Sequence, residues 1–321
     1  MEKRSLGLTD IKISPILMGT WQAGKRSWVG IEDSETIKAM QAAFDAGITT
    51  FDTAEVYGEG HSERVVGQAL ANVRDRVVLA SKVFPNHFKH DQVIGACDRS
   101  LKNLQTDYID LYQIHWPSGA FNTELVPIEE TMSALNELKQ QGKIRAIGVS
   151  NFSRAQLEEA AQYGRIDSLQ PPYSLFWRYV EKDAMPYCRE NNISILAYSS
   201  LAQGLLTGKF KAGHQFAEED NRAKNKLFQG ENYQRAQEAL EKLHPIAERY
   251  QCSLAQLSLA WLMAQPQTNA IAGARNTQQA VDNAKAAHVQ LSAADLEEIS
   301  AIGRHLTDYL DENPVMWDWN S

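Results

Sequence analysis

The sequence predicts an α/β fold: a (β/α)8 TIM barrel with an N-terminal β-hairpin and two extra helices. Short apolar segments alternate with longer amphipathic segments along almost the whole chain of 321 residues, and this alternation is typical of parallel sheets. Eight strand candidates are present, and eight βα units in roughly 290 residues suit a closed barrel better than an open doubly wound sheet. No linker, low-complexity tract or further repeat interrupts the pattern. We therefore expect residues 1–321 to form a single domain.

The predicted strands are short apolar runs bounded by polar or glycine-containing segments. They lie at 13–21, 48–54, 77–84, 108–116, 144–151, 167–170, 193–200 and 269–273. A hairpin is predicted before them, because the segments KRSLG and IKIS flank a possible turn at residues 8–10.

The predicted helices have apolar residues at helical spacing. In the barrel they lie at 32–46, 62–70, 92–104, 128–140, 153–162, 180–191 and 253–265, with an eighth that begins near Arg275. Gly47, Gly142 and Gly164 follow three of these helices, and glycine is common just beyond a helix end. A strand candidate begins soon after each of these glycines, which supports the βα alternation.

Two predicted helices, at 233–250 and 292–302, are additional to the barrel. The first belongs to a segment of some fifty residues, 201–250, that separates the seventh strand from its helix. Connections of this length in a compact domain are usually functional or disordered. The length of this segment by itself leaves both possibilities open.

Composition and charge exclude several classes of protein. The chain is 43% hydrophobic and 22% charged, close to the averages for globular proteins, which argues against disorder, collagen and coiled coils. With 32 basic and 40 acidic residues the net charge is −8, so we expect no nucleic-acid partner, because such binding depends on basic patches. No apolar run approaches the ~20 residues of a membrane helix, and the N-terminus has no signal-peptide core. We expect no membrane partner and a cytoplasmic protein.

The three cysteines, Cys97, Cys188 and Cys252, are far apart and form no C-x-x-C pair. An odd, sparse set of this kind argues against a disulfide framework and against a structural zinc site. We therefore expect no metal. Nothing in the sequence indicates an oligomeric state.

Four polar residues lie where the predicted strands end, which is where reactive groups are found in barrels. Lys82 interrupts an apolar strand and needs a counter-ion if its ammonium is buried; Asp52 on the neighbouring strand is the natural partner. Tyr57 follows the same strand end, and an ammonium close to a phenol lowers the pKa of that phenol. A tyrosine of this kind is able to donate a proton to a carbonyl oxygen as hydride reaches the carbon, while His115 holds that oxygen by a hydrogen bond. The four residues together predict carbonyl reduction.

Five segments resemble blocks of the aldo-keto reductase family, which also contains potassium-channel β subunits. The most specific is FDTAEVYGEGHSERVVGQAL at 51–70; the others are IDLYQIHWP, IRAIGVSNF, ILAYSSLAQGLLTGKF and IAGARNTQQAVDN, in the family's order and at suitable spacing. The likeness covers nearly the whole chain. It implies a barrel that carries its nicotinamide cofactor directly. In agreement, no G-x-G-x-x-G motif follows the first strand, so a Rossmann domain is not indicated.

The resemblance implies roles for individual residues. Tyr57 would be the general acid, Lys82 and Asp52 would tune it, and His115 would orient the substrate carbonyl. The residues implied in cofactor binding are Gly19, Thr20, Trp21, Asp52, Ser150, Asn151, Gln170, Tyr198, Ser199, Leu201, Gln203, Gly204, Leu205, Lys209, Gly273, Arg275, Gln279 and Asn283. Among them Ser150, Asn151 and Gln170 would bind the nicotinamide carboxamide, and Tyr198 would stack on the ring.

The expected cofactor is NADPH rather than NADH. Arg275 lies at the start of a predicted helix, where backbone N–H groups and the helix dipole already favour an anion. A guanidinium at this position suits the 2′-phosphate of NADPH. The expected partner is a small aldehyde or ketone.

Five aromatic residues, Trp21, Trp28, Phe84, Trp116 and Phe121, are candidates for the wall of the substrate pocket. Such a wall would favour aromatic or medium-length carbonyl compounds.

Two alternatives remain open from the sequence. One is a regulatory or sensor subunit that resembles the potassium-channel β subunits, binds the cofactor tightly and turns over slowly. The other is a Schiff-base aldolase that uses Lys82 as its nucleophile. The aldolase leaves the cofactor-like segments unexplained.

Overall fold

Eight parallel strands close into a barrel in a computed structural model that describes residues 1–25, 30–217 and 220–316. A two-stranded antiparallel hairpin precedes the barrel, formed by β1 (Arg4–Ser5) and β2 (Lys12–Ile13). The barrel strands are β3 (Ile16–Gly19), β4 (Thr50–Asp52), β5 (Val78–Val83), β6 (Ile109–Ile114), β7 (Ile144–Ser150), β8 (Ser168–Gln170), β9 (Ser194–Ala197) and β10 (Thr268–Gly273). Neighbours in sequence are neighbours in the barrel, and β10 pairs with both β9 and β3. The predicted barrel and hairpin are confirmed.

Most barrel strands are shorter than the apolar runs that predicted them, and β10 alone begins one residue earlier than expected. The runs continue past the last ladder hydrogen bond and turn into loops at the mouth of the barrel. At Asn151 and Ser199 the backbone adopts positive φ, 62° and 50°, a conformation that no extended strand contains. These turns end the ladders of β7 and β9 and leave polar side chains at the mouth.

Ten helices lie in the described part of the chain. Those that follow barrel strands are α1 (Asp33–Asp45), α2 (His61–Leu70), α3 (His90–Leu104), α4 (Ile128–Gln140), α5 (Arg154–Ala160), α6 (Ala184–Glu190), α8 (Leu254–Met263) and α9 (Thr277–Lys285). The predicted helix at 180–191 is too long, because residues 179–181 form a separate 3-10 turn before α6. α5 begins at a capping box in which Ser153 accepts a hydrogen bond from the backbone of Gln156.

The two extra helices are α7 (Gly230–Arg249) and α10 (Ala293–Thr307), which pack against each other. Leu240 and Leu243 of α7 and Ile299 and Leu306 of α10 are buried in the main core between the barrel and its helices. This packing anchors the C-terminal end of the long connection between β9 and α8.

A second apolar cluster fills the interior of the barrel at the amino ends of its strands. Leu6, Ile11 and Ile13 of the hairpin segment pack there against inward-facing residues of the barrel, namely Leu17, Val78, Ala80, Leu111, Ala146, Leu196 and Ile271. The hairpin thereby covers the end of the barrel at the amino ends of the strands. Among the described residues, no helix is both long and apolar enough to cross a membrane.

Candidate active site

A cavity of about 1280 Å³ opens at the carboxyl ends of the barrel strands. Most of the residues predicted to bind the cofactor line it: Gly19, Thr20, Trp21, Asp52, Ser150, Asn151, Gln170, Tyr198, Ser199, Leu201, Gln203, Gly204, Lys209, Gly273, Arg275, Gln279 and Asn283. Tyr57 and His115 line it as well. The exception among the predicted cofactor residues is Leu205, which is fully buried in the main core, because the 3-10 turn after Leu201 directs its side chain into the protein.

Lys82 and Asp52 form a buried ion pair beneath this cavity. Lys82 Nζ donates to Asp52 Oδ2 and to the carbonyl oxygen of Thr53, each over 2.7 Å, and the lysine side chain has no exposed surface. Burial lowers the pKa of Lys82, and the Asp52 carboxylate opposes that effect. Lys82 does not line the cavity, so its amine offers no approach for a Schiff-base substrate.

Tyr57 lines the cavity close to this ion pair. The Lys82 ammonium is 5.2 Å from the centroid of the Tyr57 ring. The expected lowering of the pKa of Tyr57 is wrong: burial of the phenol, and then the charge of Asp52, raise it. The ammonium directs its hydrogen bonds to Asp52 and Thr53, so the phenol is desolvated without a direct bond to the cation. Tyr57 is therefore protonated at neutral pH and able to act as a proton donor.

His115 faces Tyr57 edge-on, with ring centroids 5.6 Å apart. Burial, and then the positive charge of Lys82, hold the pKa of His115 well below its usual range, so the imidazole is neutral. Its buried Nδ1 has no hydrogen-bond partner among the described residues. A neutral imidazole next to a protonated phenol provides two hydrogen-bond donors for a single oxygen atom.

The side chain of Asn151 is hydrogen-bonded to two other residues of the site, His115 and Tyr198. Its backbone has a φ of 62°; its Nδ2 donates to the carbonyl oxygen of His115 over 3.1 Å, and its Oδ1 accepts from the Tyr198 hydroxyl over 2.8 Å. The Ser150 hydroxyl donates to the carbonyl oxygen of Gln170 over 2.8 Å. Neither Ser150 nor Asn151 caps α5, because Ser153 does so, and both side chains face the cavity instead.

Gln113 is a site residue that the sequence analysis missed. It lies on β6, is fully buried, and its Nε2 donates to Asp52 Oδ1 over 3.3 Å. Gln170 Nε2 donates to the same oxygen over 2.9 Å. A signal was available: strand alternation places residues 111, 113 and 115 on one face, and an amide on the inward face of a barrel strand is unusual.

Five basic residues line the cavity, and three of them, Lys209, Arg222 and Arg275, lie close enough to repel one another. Burial lowers the pKa of Lys209 and of Arg275, and the positive charge of Arg222 adds to both effects. Asp220 pairs with Arg222. The sequence analysis did not identify Arg222, because its place in the long connection gives no periodic or motif signal. Mutual repulsion among the three cations makes this a favourable place for an anion.

The start of α9 forms the adjoining wall. Asn276 caps the helix by accepting from the backbone N–H of Gln279. The Gln279 side chain accepts from the backbone N–H of Arg275 over 2.9 Å, and Asn283 Nδ2 donates to the carbonyl oxygen of Gly273 over 3.1 Å. These bonds fix the backbone that carries Arg275.

Aromatic side chains line the cavity around His115. Phe121 stacks on Phe84 with a centroid distance of 5.4 Å and meets Trp116 edge-on at 5.2 Å. Trp21 lines the cavity with 36% of its surface exposed. Trp28, the fifth aromatic candidate, lies outside the described residues.

Cys97, Cys188 and Cys252 are free thiols. In the described ranges no three His, Cys, Asp or Glu side chains are grouped so as to hold a metal ion.

Comparison with known proteins identifies the family. The chain matches the model of the aldo/keto reductase family over residues 15–304. It is 37% identical over 318 residues to the NADH-specific methylglyoxal reductase of Escherichia coli strain K12, and the match covers 92% of this chain and 96% of that protein. The structure of the glycerol dehydrogenase AKR11B4 from Gluconobacter oxydans superposes with a TM-score of 0.88 at 32% identity, covering 97% of this chain and 98% of that one. An aldo-keto reductase from Klebsiella pneumoniae in complex with NADPH gives a TM-score of 0.76 at 30% identity over 99% of both chains.

The chain therefore belongs to the aldo/keto reductase family, which confirms the resemblance inferred from its motifs. It is an oxidoreductase of the family that acts on the carbonyl groups of small molecules with a nicotinamide cofactor.

Proposed function

We propose that this chain reduces aldehydes and ketones to alcohols with NADPH, and that Tyr57 is the proton donor. The observation that supports this most strongly is the meeting of Tyr57 and His115, 5.6 Å apart, in the same cavity as Lys209, Arg222 and Arg275. Tyr57 and His115 are suited to bind a carbonyl oxygen. The other three residues, a cluster of cations, are suited to bind phosphate.

The cavity fits a nicotinamide dinucleotide. Its volume of about 1280 Å³ exceeds the roughly 300–1,000 Å³ of most ligand pockets, and a dinucleotide is a large ligand. The pKa values of Lys209 and Arg275 are lowered, and a bound anion would raise them. Hydroxyl and amide groups of Ser150, Asn151 and Gln170 line the part of the cavity nearer the catalytic tyrosine. When bound, the reduced nicotinamide supplies a hydride to the carbonyl carbon.

The catalytic roles follow from charge and protonation. Tyr57 is protonated at neutral pH, with a pKa that burial and then Asp52 raise further, and it gives its proton to the carbonyl oxygen. Neutral His115 donates a hydrogen bond to the same oxygen and orients it. The phenolate that results lies close to the Lys82 ammonium, 5.2 Å from the ring centroid, and Asp52 keeps that ammonium charged and in place.

We assign the cofactor contacts by the chemistry of the lining groups. Ser150, Asn151 and Gln170 bind the carboxamide, and Tyr198 lies against the nicotinamide ring. The remaining contacts, to the pyrophosphate and adenosine parts, come from Ser199, Leu201, Gln203, Gly204, Lys209, Gly273, Arg275, Gln279 and Asn283, with Gly19, Thr20 and Trp21 on the side of the first barrel strand.

NADPH is favoured over NADH by the three cations. NADPH carries an additional phosphate, and an arginine is well suited to bind a phosphate by two parallel hydrogen bonds. The position of Arg275 in the sequence already indicated a site for the 2′-phosphate, and the nearby Arg222 supports the same interpretation. Because one relative is an NADH-specific reductase, the preference depends on these side chains and not on family membership.

The substrate side of the cavity is aromatic. Phe84, Trp116 and Phe121 contact one another around His115, and these side chains carry no charge. A wall of this kind supports neutral aromatic or medium-length aldehydes and ketones as substrates.

The test is the loss of NADPH absorbance with 4-nitrobenzaldehyde, methylglyoxal and a medium-chain aldehyde. We expect turnover by the wild-type protein and a loss of about 100-fold or more in kcat for Tyr57→Phe, with NADPH affinity nearly unchanged. Tyr163→Phe is the matched control, because Tyr163 lies outside the cavity. Full activity in Tyr57→Phe would disprove the proton-donor assignment, and tight NADPH binding without turnover of any carbonyl would favour a sensor subunit instead.

A further inference from the structure

Gln113 occupies the centre of a buried polar layer inside the barrel. In the strand register it pairs with Lys82 of β5 and with Gly148 of β7. Its side chain has no exposed surface and lies too deep to line the cavity. Any influence of Gln113 on a ligand must therefore act through another residue.

The hydrogen bonds of this layer determine how Gln170 faces a ligand. Gln170 Nε2 carries two hydrogens; one is donated to Asp52 Oδ1 over 2.9 Å and the other to Gln113 Oε1 over 3.4 Å. Because both hydrogens are used, the side-chain atom that Gln170 retains for a ligand is its amide oxygen, Oε1. Reversing the amide would place that oxygen against a carboxylate and against another amide oxygen, which is unfavourable.

Gln113 is itself held in one orientation. Its Nε2 donates to Asp52 Oδ1 over 3.3 Å while its Oε1 accepts from Gln170. Asp52 Oδ1 therefore receives two amide donors, and Oδ2 receives the ammonium of Lys82. Both glutamine amides donate to this carboxylate, so rotation of either amide would lose a buried hydrogen bond.

The neighbouring strand leaves room for this arrangement. A Cβ on Gly148 would lie 2.9 Å from Gln113 Cγ and 2.3 Å from Ser168 Oγ. At such distances the neighbouring side chains would have to shift, so the glycine at this position of β7 leaves the room in which the glutamine side chain lies. The layer is thus accommodated by the backbone as well as by hydrogen bonds.

We propose that Gln113 is a positioning residue for the nicotinamide half of the cofactor. It keeps the carbonyl oxygen of Gln170 available to accept from the carboxamide amine, and it helps to fix the Asp52 carboxylate opposite Lys82. This inference rests on the proposed function of the site. It predicts that loss of Gln113 weakens binding of the nicotinamide end and leaves binding of the adenosine end unchanged.

The test compares two probes, NADPH and 2′,5′-ADP, which has the adenosine end but no nicotinamide. In Gln113→Met, a variant of similar volume without hydrogen-bonding groups, we expect the Kd for NADPH to rise about tenfold and the Kd for 2′,5′-ADP to stay within about twofold. The matched control is Leu111→Met, on the same strand and the same face, which should leave both values as in the wild type. Thermal unfolding of each variant confirms that it is folded.

A second variant, Gln113→Glu, adds a pH dependence that a purely structural role would not produce. Gln113 donates to Asp52 of β4 and pairs in register with Lys82 of β5, and His115 follows two residues later along the chain; the register partners on β7 and β8 are the uncharged Gly148 and Ser168. A protonated carboxyl donates and accepts as the amide does, whereas a carboxylate repels Asp52. The Kd for NADPH relative to wild type should therefore improve as the pH falls.

The outcomes of these measurements distinguish a failure of the proposed role of Gln113 from a failure of the proposed function. Equal NADPH affinity in Gln113→Met and the wild type, or equal weakening of both probes, would overturn the role of Gln113 while leaving the proposed function intact. If the ratio of the NADPH Kd of Gln113→Glu to that of the wild type does not change with pH, the role of Gln113 is also overturned. Failure of the wild-type protein to bind NADPH would instead refute the proposed function.

Discussion

Gly58 lies so close to Gly24 that a Cβ on Gly58 would come within 2.4 Å of the Gly24 carbonyl oxygen. Gly58 also has a φ of 63°, which favours glycine. Gly24 belongs to the loop after β3, and Gly58 directly follows the proposed proton donor. The loop that carries Tyr57 is therefore placed by direct backbone contact with the loop of the preceding strand.

We expect Gly24→Ala to displace Tyr57. The new Cβ would lie 2.7 Å from the Tyr57 carbonyl carbon and 2.9 Å from Gly58 N, so the backbone must shift. Because a misplacement of about 1 Å can cost on the order of 100-fold in rate, kcat should fall at least about tenfold while the protein stays folded. Gly95→Ala is the control, since its Cβ meets only Arg99 Nη1 at 3.5 Å. Wild-type kcat in Gly24→Ala would show that this contact does not position the tyrosine.

The low pKa of His115 predicts a specific loss of stability in acid. Burial and then Lys82 keep the folded imidazole neutral, whereas the unfolded chain binds a proton there below about pH 6.5. The unfolded state binds more protons in this window, so the free energy of unfolding falls as the pH drops below about 6.5, by at most about 1.4 kcal/mol per pH unit from this residue. Above that pH the neutral form prevails in both states and the contribution is constant.

Urea unfolding of the wild type and of His115→Gln at pH values of about 7 and about 5 measures this effect. We expect the variant to lose less free energy of unfolding than the wild type over the same interval. An equal loss in the two proteins would mean that His115 is not held neutral by the fold.

Arg275→Ala should weaken NADPH much more than NADH. The guanidinium shares its part of the cavity with Lys209 and Arg222, and charge-assisted hydrogen bonds to a phosphate are among the stronger polar contacts. We expect the Kd for NADPH to rise about tenfold or more, and the Kd for NADH to change less than about threefold. Arg189→Ala, on an exposed arginine of α6 outside the cavity, is the control. Equal losses for both dinucleotides would remove the argument for the 2′-phosphate.

Phe121→Ala tests the aromatic wall. The ring is 43% exposed and contacts Phe84 and Trp116, so truncation opens one side of the pocket. We expect KM for 4-nitrobenzaldehyde to rise about fivefold or more, since an aromatic pair contributes on the order of 1 kcal/mol, with little change in KM for methylglyoxal. Tyr163→Ala removes an exposed ring outside the cavity and should alter neither value. A parallel change for both substrates would argue against selective contact with aromatic compounds.

Local patterns were sufficient to predict the barrel and the elements that form it. Helix α4 lies at Ile128–Gln140, the range predicted from its periodicity. Strand ends were less predictable, because the apolar run around β7 continues into Asn151, where a positive φ ends the ladder. The motif segments also placed Tyr57, His115 and Asp52 at one end of the barrel, since the carboxyl ends of parallel strands meet there.

The sequence by itself determined the fold class, the family and most of the residues around the cavity, because hydrophobic periodicity and motif blocks are properties of short segments. The tertiary structure decided the direction in which the pKa of Tyr57 shifts, since burial and Asp52 outweigh an ammonium that is directed elsewhere. It also decided the place of Arg222 beside Arg275 and of Gln113 between Asp52 and Gln170. These relationships join residues far apart in the chain, and their energies depend on distance and burial that only the folded barrel defines.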